Sequence, residues 1–273
     1  MAVAAVTAGC GSSRSALALD PVSAAATKTQ HAGAARIRFS LALSSSQLPQ
    51  GQALVVRGHG AIDGTNAQLT VGLGALLHNS GLPAQGNGSI KEIFLHENGD
   101  YVLYVKTGLA ARYLPTDKQW VELDVSKLGS SAGLDLGKLL SGSQLQPSDL
   151  LSMLTAEGAK ITKVGPATID GTAATHYRVT IDVAKALQTK GLMSPLLDGV
   201  AKQVPTIPED VWIGKDGLVR RITLSYAVAQ RRVAMTTDLY DYGAHVTIAA
   251  PPSSVVYDAT PLAQLGVGSA LTH

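Results

Sequence analysis

Asp210–Tyr226 reads DVWIGKDGLVRRITLSY, and its spacing decides the architecture. Val211 and Ile213 alternate with Trp212 and Gly214, and the chain reverses at Lys215-Asp216-Gly217. Ile222, Leu224 and Tyr226 then alternate with Arg221, Thr223 and Ser225. A two-residue period sends successive side chains to opposite sides of a strand, so the stretch predicts a β-hairpin with one apolar and one polar face. Asp-Gly supports the reversal, because both residues tolerate the positive φ of a tight primed turn.

Outward from this hairpin the same pattern recurs. Ile37, Phe39, Leu41 and Leu43 alternate with Arg38, Ser40 and Ala42. Strands are expected over 53–60 and 68–73 around Asp63-Gly64, turning Val55, Leu69 and Val71 inward. Others are expected over 91–96 and 101–107 around Asn98-Gly99, with Leu95 inward, and over 120–125, with Val121 and Leu123 inward. Around Asp170-Gly171, residues 161–165 and 173–183 pair, and Tyr177, Val179 and Ile181 share a face. Residues 232–240 and 244–249 are read as the last strands, ended by Pro251-Pro252 because proline cannot donate to a ladder.

Helical signals are fewer. Asp20-Pro21 supplies an N-cap and a first-turn proline for a helix over 22–32. From 134 to 159 the apolar period lengthens to three and four, through Leu136, Leu139, Leu140, Leu150, Leu151 and Leu154. Residues 184–204 read as a helical crossover interrupted at Pro195. The glycine-rich piece 74–89 is expected to be a mobile loop or short helix. The tail after Tyr257 has a helix start at Thr260-Pro261 and is otherwise expected to fray. About ten strands and three helical regions, with no break in composition, predict an α+β fold: a large curved antiparallel sheet covered on its concave face by helices. A single domain is expected over 20–260, followed by a tail over 261–273.

Charged residues make up 15% of the 273 and the formal net charge is +2, below the roughly 25% charged residues of ordinary domains. Nucleic acid would call for basic residues clustered on one face, so it is not expected as a partner. The single cysteine, Cys10, rules out a disulfide framework and a thiolate zinc site. Residues 1–9 read as the remnant of a signal peptide and 10–19 as a flexible tether. Thr7-Ala8-Gly9-Cys10 resembles a bacterial lipobox, although Thr7 stands where leucine is usual and the segment lacks a positively charged start. Lipidation of Cys10 would hold the protein on the extracytoplasmic side of the cell membrane, since several acyl chains anchor stably where one does not. The plainer alternative is a disordered N-terminus with an incidental cysteine.

Catalytic chemistry finds little support. Gly129-Ser130-Ser131-Ala132-Gly133 fits the G-x-S-x-G spacing of a nucleophile elbow, but the parallel βα alternation of that fold is missing. Ser131 is read as a loop residue. The seven histidines are scattered, with no H-E-x-x-H pair. No catalytic residue, metal or cofactor is expected. Arg220-Arg221 and Arg231-Arg232 would meet across neighbouring strands, either as a solvated outer face or as a patch for lipid headgroups.

Four pieces carry a family resemblance: TAGC at 7–10, GTAATHYRVTIDVAKAL at 171–187, PEDVWIGKDGLVRRI at 208–222 and DYGAHVTIAAPP at 241–252. With the strand pattern they make the chain similar to the actinobacterial LppX/LprG lipoproteins, a branch of the LolA-like half-barrels. The resemblance implies an apolar cavity between sheet and helices that accepts acyl chains of lipids or lipoglycans, and a membrane transporter as a further partner. The departures lie in the lipobox and in the 74–89 loop.

A cavity is also reasonable physically. The inward candidates Ile37, Phe39, Leu41, Val55, Leu69, Val71, Leu95, Val121, Leu123, Tyr177, Val179, Ile181, Val211, Ile213, Ile222, Leu224 and Tyr226 are mostly medium aliphatics. A dry void lined by such groups costs about 20 cal/mol per Å², and acyl chains recover roughly 0.8 kcal/mol per buried methylene. The expected function is therefore non-catalytic lipid binding or transport at the cell envelope. The alternative is an envelope sensor or scaffold on the same fold with a filled core.

Overall fold

The computed structural model describes residues 20–45, 53–74, 88–97, 99–108, 113–131, 159–189, 195–228 and 231–270. Helix α1 (Pro21–Gln30) precedes strands β1 (Ala35–Ser45), β2 (Leu54–Asp63), β3 (Asn66–Gly72), β4 (Ser89–Glu97), β5 (Asp100–Thr107) and β6 (Trp120–Asp124). Helix α2 (Val125–Ser131) follows, then β7 (Lys160–Ile169), β8 (Thr172–Asp182), α3 (Val183–Thr189) and α4 (Pro195–Gln203). The chain continues through β9 (Thr206–Gly214), β10 (Val219–Val228), β11 (Arg231–Tyr240), β12 (Val256–Asp258) and α5 (Thr260–Ala270).

All twelve strands join one sheet in the order β12-β6-β5-β4-β3-β2-β1-β11-β10-β9-β8-β7. Every neighbouring pair is antiparallel except β12 and β6, which run parallel. The α+β class and the large antiparallel sheet follow the expectation from sequence. Sequential hairpins build each half of the sheet, and β1 joins the halves by pairing with β2 on one side and β11 on the other.

The turns differ in kind. Asp170-Gly171 is a two-residue loop with φ of 48° and 78°, the primed geometry. At the β9–β10 reversal only Gly217 has positive φ, 76°, and residues 215–218 form a longer loop. Gly214 N–H donates to the Leu218 carbonyl at 2.8 Å and Gly217 N–H to the Gly214 carbonyl at 2.9 Å. A slip in register between Val219 and Arg221 absorbs the extra residues, so the primed turn expected at Asp216-Gly217 gives way to a wider one.

Helix α1 is capped by Asp20, whose carboxylate accepts from Val22 N–H at 2.9 Å. It buries Val22, Ala25, Ala26 and Thr29 against the β9–β10 hairpin. Thr29 Oγ1 accepts from Val219 N–H at 2.9 Å, and Lys28 Nζ donates to the Asp216 carbonyl at 2.5 Å. The main core cluster joins α1 to β1 and to β8–β11 through Ala35, Ile37, Val179, Ile181, Val211, Ile222 and Leu239, and extends to β2–β4 through Ile62, Ala67 and Phe94.

Several expectations change. Residues 244–249 form no strand. β11 already has β1 and β10 on its two sides, so the chain leaving it at the Asp241–Gly243 turn has no free edge nearby. It reaches the far edge instead, as the short β12. In place of a frayed tail, residues 260–270 form α5, with Asp258 Oδ1 accepting from Thr260 N–H at 2.8 Å. Ser131 closes α2 instead of lying in a loop, and so is not at a strand-to-helix turn. The Leu134–Leu154 segment and most of the 74–89 piece lie outside the described residues, as does Cys10.

Candidate functional site

Register assigns the two sides of the sheet. Ile37 pairs with Leu239, Phe39 with Thr237 and Leu41 with Met235; Ile222 and Leu224 oppose Thr237 and Met235. Val211 opposes Ile222, and Tyr177, Val179 and Ile181 oppose Val211, Glu209 and Ile207. In the other direction Leu41 opposes Val56, Val71 opposes Gly58 and Leu69 opposes Gly60. Phe94 then opposes Leu103, and Leu103 and Val105 oppose Leu123 and Val121. Directly paired residues point to the same side, so one apolar face runs from β6 to β7.

Fifteen of the seventeen sequence candidates occupy this face: Ile37, Phe39, Leu41, Leu69, Val71, Val121, Leu123, Tyr177, Val179, Ile181, Val211, Ile213, Ile222, Leu224 and Tyr226. Val55 and Leu95 do not. Val55 pairs with Ala42 and Leu95 with Val102, on the opposite side. Leu95 is nonetheless only 1% exposed, at the end of the sheet where α2 and α5 pack on each other and on β5 and β6.

Burial is uneven along the apolar face. On β8–β11, Val179, Ile181, Val211, Ile222, Leu224 and Leu239 are at most 5% exposed. On β3, β5 and β6, Leu69, Val71, Leu103, Val105, Val121 and Leu123 are only half-buried, as are Phe39 and Leu41 on β1. At β2 the Phe39 ring lies where a Cβ on Gly58 would sit, within 2.4 Å, so glycine there admits the ring.

Sequence reading missed the polar groups embedded in this face. Glu209 is 1% exposed, and neither carboxylate oxygen has a hydrogen-bond partner among the described residues. Burial alone pushes its carboxyl up to about 8. Thr237 Oγ1 is likewise buried without a partner. Glu92, beside Leu69 and Val105, is also raised by burial. The alternation already held the signal for Glu209: Ile207, Glu209, Val211 and Ile213 share one side of β9.

The opposite face is polar over β1 and β8–β11. Asp238 sits between Arg38 and Arg221; Arg38 Nε donates to it at 2.8 Å and Arg221 Nη2 at 3.0 Å, and a second bond runs from Arg221 Nε. Burial pushes the Asp238 carboxyl up, but the bonds from Arg221 and Arg38 outweigh it and hold it below its usual range. His176 Nε2 and Arg178 Nε meet Asp210 Oδ1 at 2.8 and 3.1 Å, and the His176 ring stacks on Trp212 at 4.5 Å. The two arginine pairs do not meet. Arg221 faces Asp238 and Arg220 reaches Asp216, whereas Arg231 and Arg232 face Val228 and Ala227 farther along β10. Among the described residues no three His, Cys, Asp or Glu side chains gather as a metal site, and no helix is long and apolar enough to cross a membrane.

With the sheet and its two faces in view, comparison with known proteins adds likeness. The chain is similar to the mycobacterial lipoprotein LppX. Against the crystal structure of LppX from Mycobacterium tuberculosis the identity is 16%, covering 84% of this chain and 100% of that one, with a TM-score of 0.44. LprF from Mycobacterium bovis gives 18%, 85%, 96% and 0.43 for the same measures. An uncharacterised 31.2 kDa protein of Streptomyces griseus, from the rplA–rplJ intergenic region, is 26% identical over 221 residues, 76% of this chain and 70% of its own length. No family model matches the chain.

Proposed function

We propose that this protein binds the acyl chains of a lipid or lipoglycan against the apolar face of its sheet and carries them at the cell envelope, without catalysis. In this reading the sheet is a half-barrel whose concave side is the apolar face, covered by helices. Cys10 is the lipidated anchor on the extracytoplasmic side of the cell membrane, and a membrane transporter passes or receives the cargo.

The observation that carries the proposal is the uneven closure of one continuous apolar face. Val179, Ile181, Val211, Ile222, Leu224 and Leu239 on β8–β11 are sealed as in a filled core, while Met235 on β11 and aliphatics on β1, β3, β5 and β6 remain half-buried. Apolar surface left partly wet is costly, at about 25 cal/mol per Å², and a hydrocarbon tail laid along that half removes the cost. The fully sealed half is what the sensor or scaffold alternative requires of the entire face.

Expression in an actinobacterial host, extraction of the purified protein with organic solvent and mass spectrometry of the extract test the proposal. One or more acyl-bearing species in near-stoichiometric amount is the expected result. Protein that emerges free of lipid, and that fails to take up dioleoylglycerol afterwards, overturns it in favour of the sensor or scaffold.

A further inference from the structure

We infer that Glu209 is the polar seat of the ligand: its carboxyl, set in the apolar face, hydrogen-bonds an uncharged oxygen group of the bound lipid, an ester carbonyl or a hydroxyl. The assignment rests on the lipid-binding reading and names the atoms of the cargo that the protein recognises.

Glu209 occupies a core position in a strand whose other inward residues are Ile207, Val211 and Ile213. Its same-face neighbours across the ladder are Leu224 on β10 and Val179 on β8, so no cation faces it from the adjoining strands. Buried polar groups in folded proteins are almost always hydrogen-bonded, yet both oxygens of Glu209 lack a partner among the described residues. A sequence that places a carboxyl where its own pattern calls for an aliphatic breaks a local rule, and such breaks gather at functional sites.

Position along the sheet supports the same assignment. The row through Glu209 continues as Leu224, Met235, Leu41 and Val56. Leu224 is sealed, whereas Met235 and Leu41 are half-buried. Glu209 therefore stands within the closed region on a row that opens two strands away, roughly 10 Å across the ladder. Thr237, whose buried hydroxyl also lacks a partner among the described residues, lies on the neighbouring row of the same face.

The chemistry selects the partner. Burial keeps the carboxyl protonated at neutral pH, and a protonated carboxyl offers one O–H donor while retaining acceptor capacity. An ester carbonyl or hydroxyl matches this. An anionic headgroup does not, because it would have to give up its hydration beside apolar residues, with no cation facing it from the adjoining strands.

The test uses delipidated full-length protein loaded either with 1,2-dioleoylglycerol, which carries esters and a hydroxyl, or with the hydrocarbon 1-octadecene. Infrared difference spectra are recorded, with the Glu209 carboxyl band identified by its loss in Glu209→Gln. The band is expected to move on loading dioleoylglycerol and to stay in place with 1-octadecene. In displacement of a fluorescent apolar probe, Glu209→Leu is expected to weaken dioleoylglycerol about tenfold, the worth of one buried hydrogen bond, while 1-octadecene binding is unchanged. If the leucine variant does not fold, the wild-type infrared comparison decides alone. Uptake of both probes with a band that responds equally to each overturns the assignment and leaves lipid binding intact; such a carboxyl is satisfied by trapped water. Uptake of neither probe overturns both.

Discussion

The apolar sides of β8–β11 and of β3–β6 are written in the same alternating code, yet they end in different environments. Ile222, Val211 and Val179 are sealed by neighbouring strands and by α1, whereas Leu69, Val105 and Val121 stay half-buried. Strand pattern sets which way a side chain points. What covers it is decided by tertiary partners, and α1 docks on the β9–β10 hairpin. Stability should therefore be concentrated in the closed half and contact with the acyl chains in the other, with Glu209 meeting the oxygen group of the ligand from the closed side.

Truncation gives the largest effect that can break this division. Ile222→Ala should cost roughly 2 to 5 kcal/mol, the range for an aliphatic removed from a packed core. Leu69→Ala on the half-open side should cost about 1 kcal/mol or less, because water already reaches the site. Urea unfolding of the lipid-free protein measures both. Equal losses would show that the two halves are one filled core. Leu69→Ala should instead weaken retention of dioleoylglycerol, and Ile222→Ala should spare it wherever the variant remains folded.

The hairpins were legible because period two and the Asp-Gly reversals agree with each other, as at 170–171. Legibility failed where the pattern was flat. Leu54-Val55-Val56 and Ile93-Phe94-Leu95 are unbroken apolar runs, so periodicity leaves their register open. Pairing settles it: counting back from Asp63 opposite Asn66 turns Val56 inward and Val55 outward, and Phe94 opposite Ala67 does the same for Leu95. β12 has three residues and depends on a parallel partner far away in sequence, which no local window reveals. Glu209 was visible in the alternation, but its meaning needed the burial that only the assembled sheet supplies.

Glu209 sharpens the contrast through pH. Its folded carboxyl is raised from an ordinary 4.5 to about 8. Between those values the unfolded chain releases the proton while the native state keeps it, so stability falls as pH rises. The contribution is most favourable below 4.5, declines across the window and levels off above about 8, where the native carboxyl also ionises. Glu209→Gln removes the titration. From pH 5 to pH 8 the wild type should lose about 3 kcal/mol relative to the variant, at up to 1.4 kcal/mol per pH unit. Parallel stability curves for the two proteins would mean that the carboxyl is solvated in the native state.

A smaller effect than that of Glu209 belongs to the polar face over the closed half, where Asp238 holds Arg38 and Arg221 together across β1, β11 and β10. Its carboxyl lies below the ordinary 3.8 in the native state, so the sign is opposite to that of Glu209. Its stabilisation is present above 3.8 and is lost as pH falls through the folded value. Both arginines are partly exposed, and solvent screening keeps the worth of such pairs small. Asp238→Asn should therefore cost about 1 kcal/mol at pH 7 and nothing further in acid, read from urea midpoints at the two pH values. Because Asp238 is on the opposite side of the sheet from Phe39 and Leu41, lipid loading should not change. A variant that released lipid would show that the polar ladder sets the strand arrangement on which the half-open side depends.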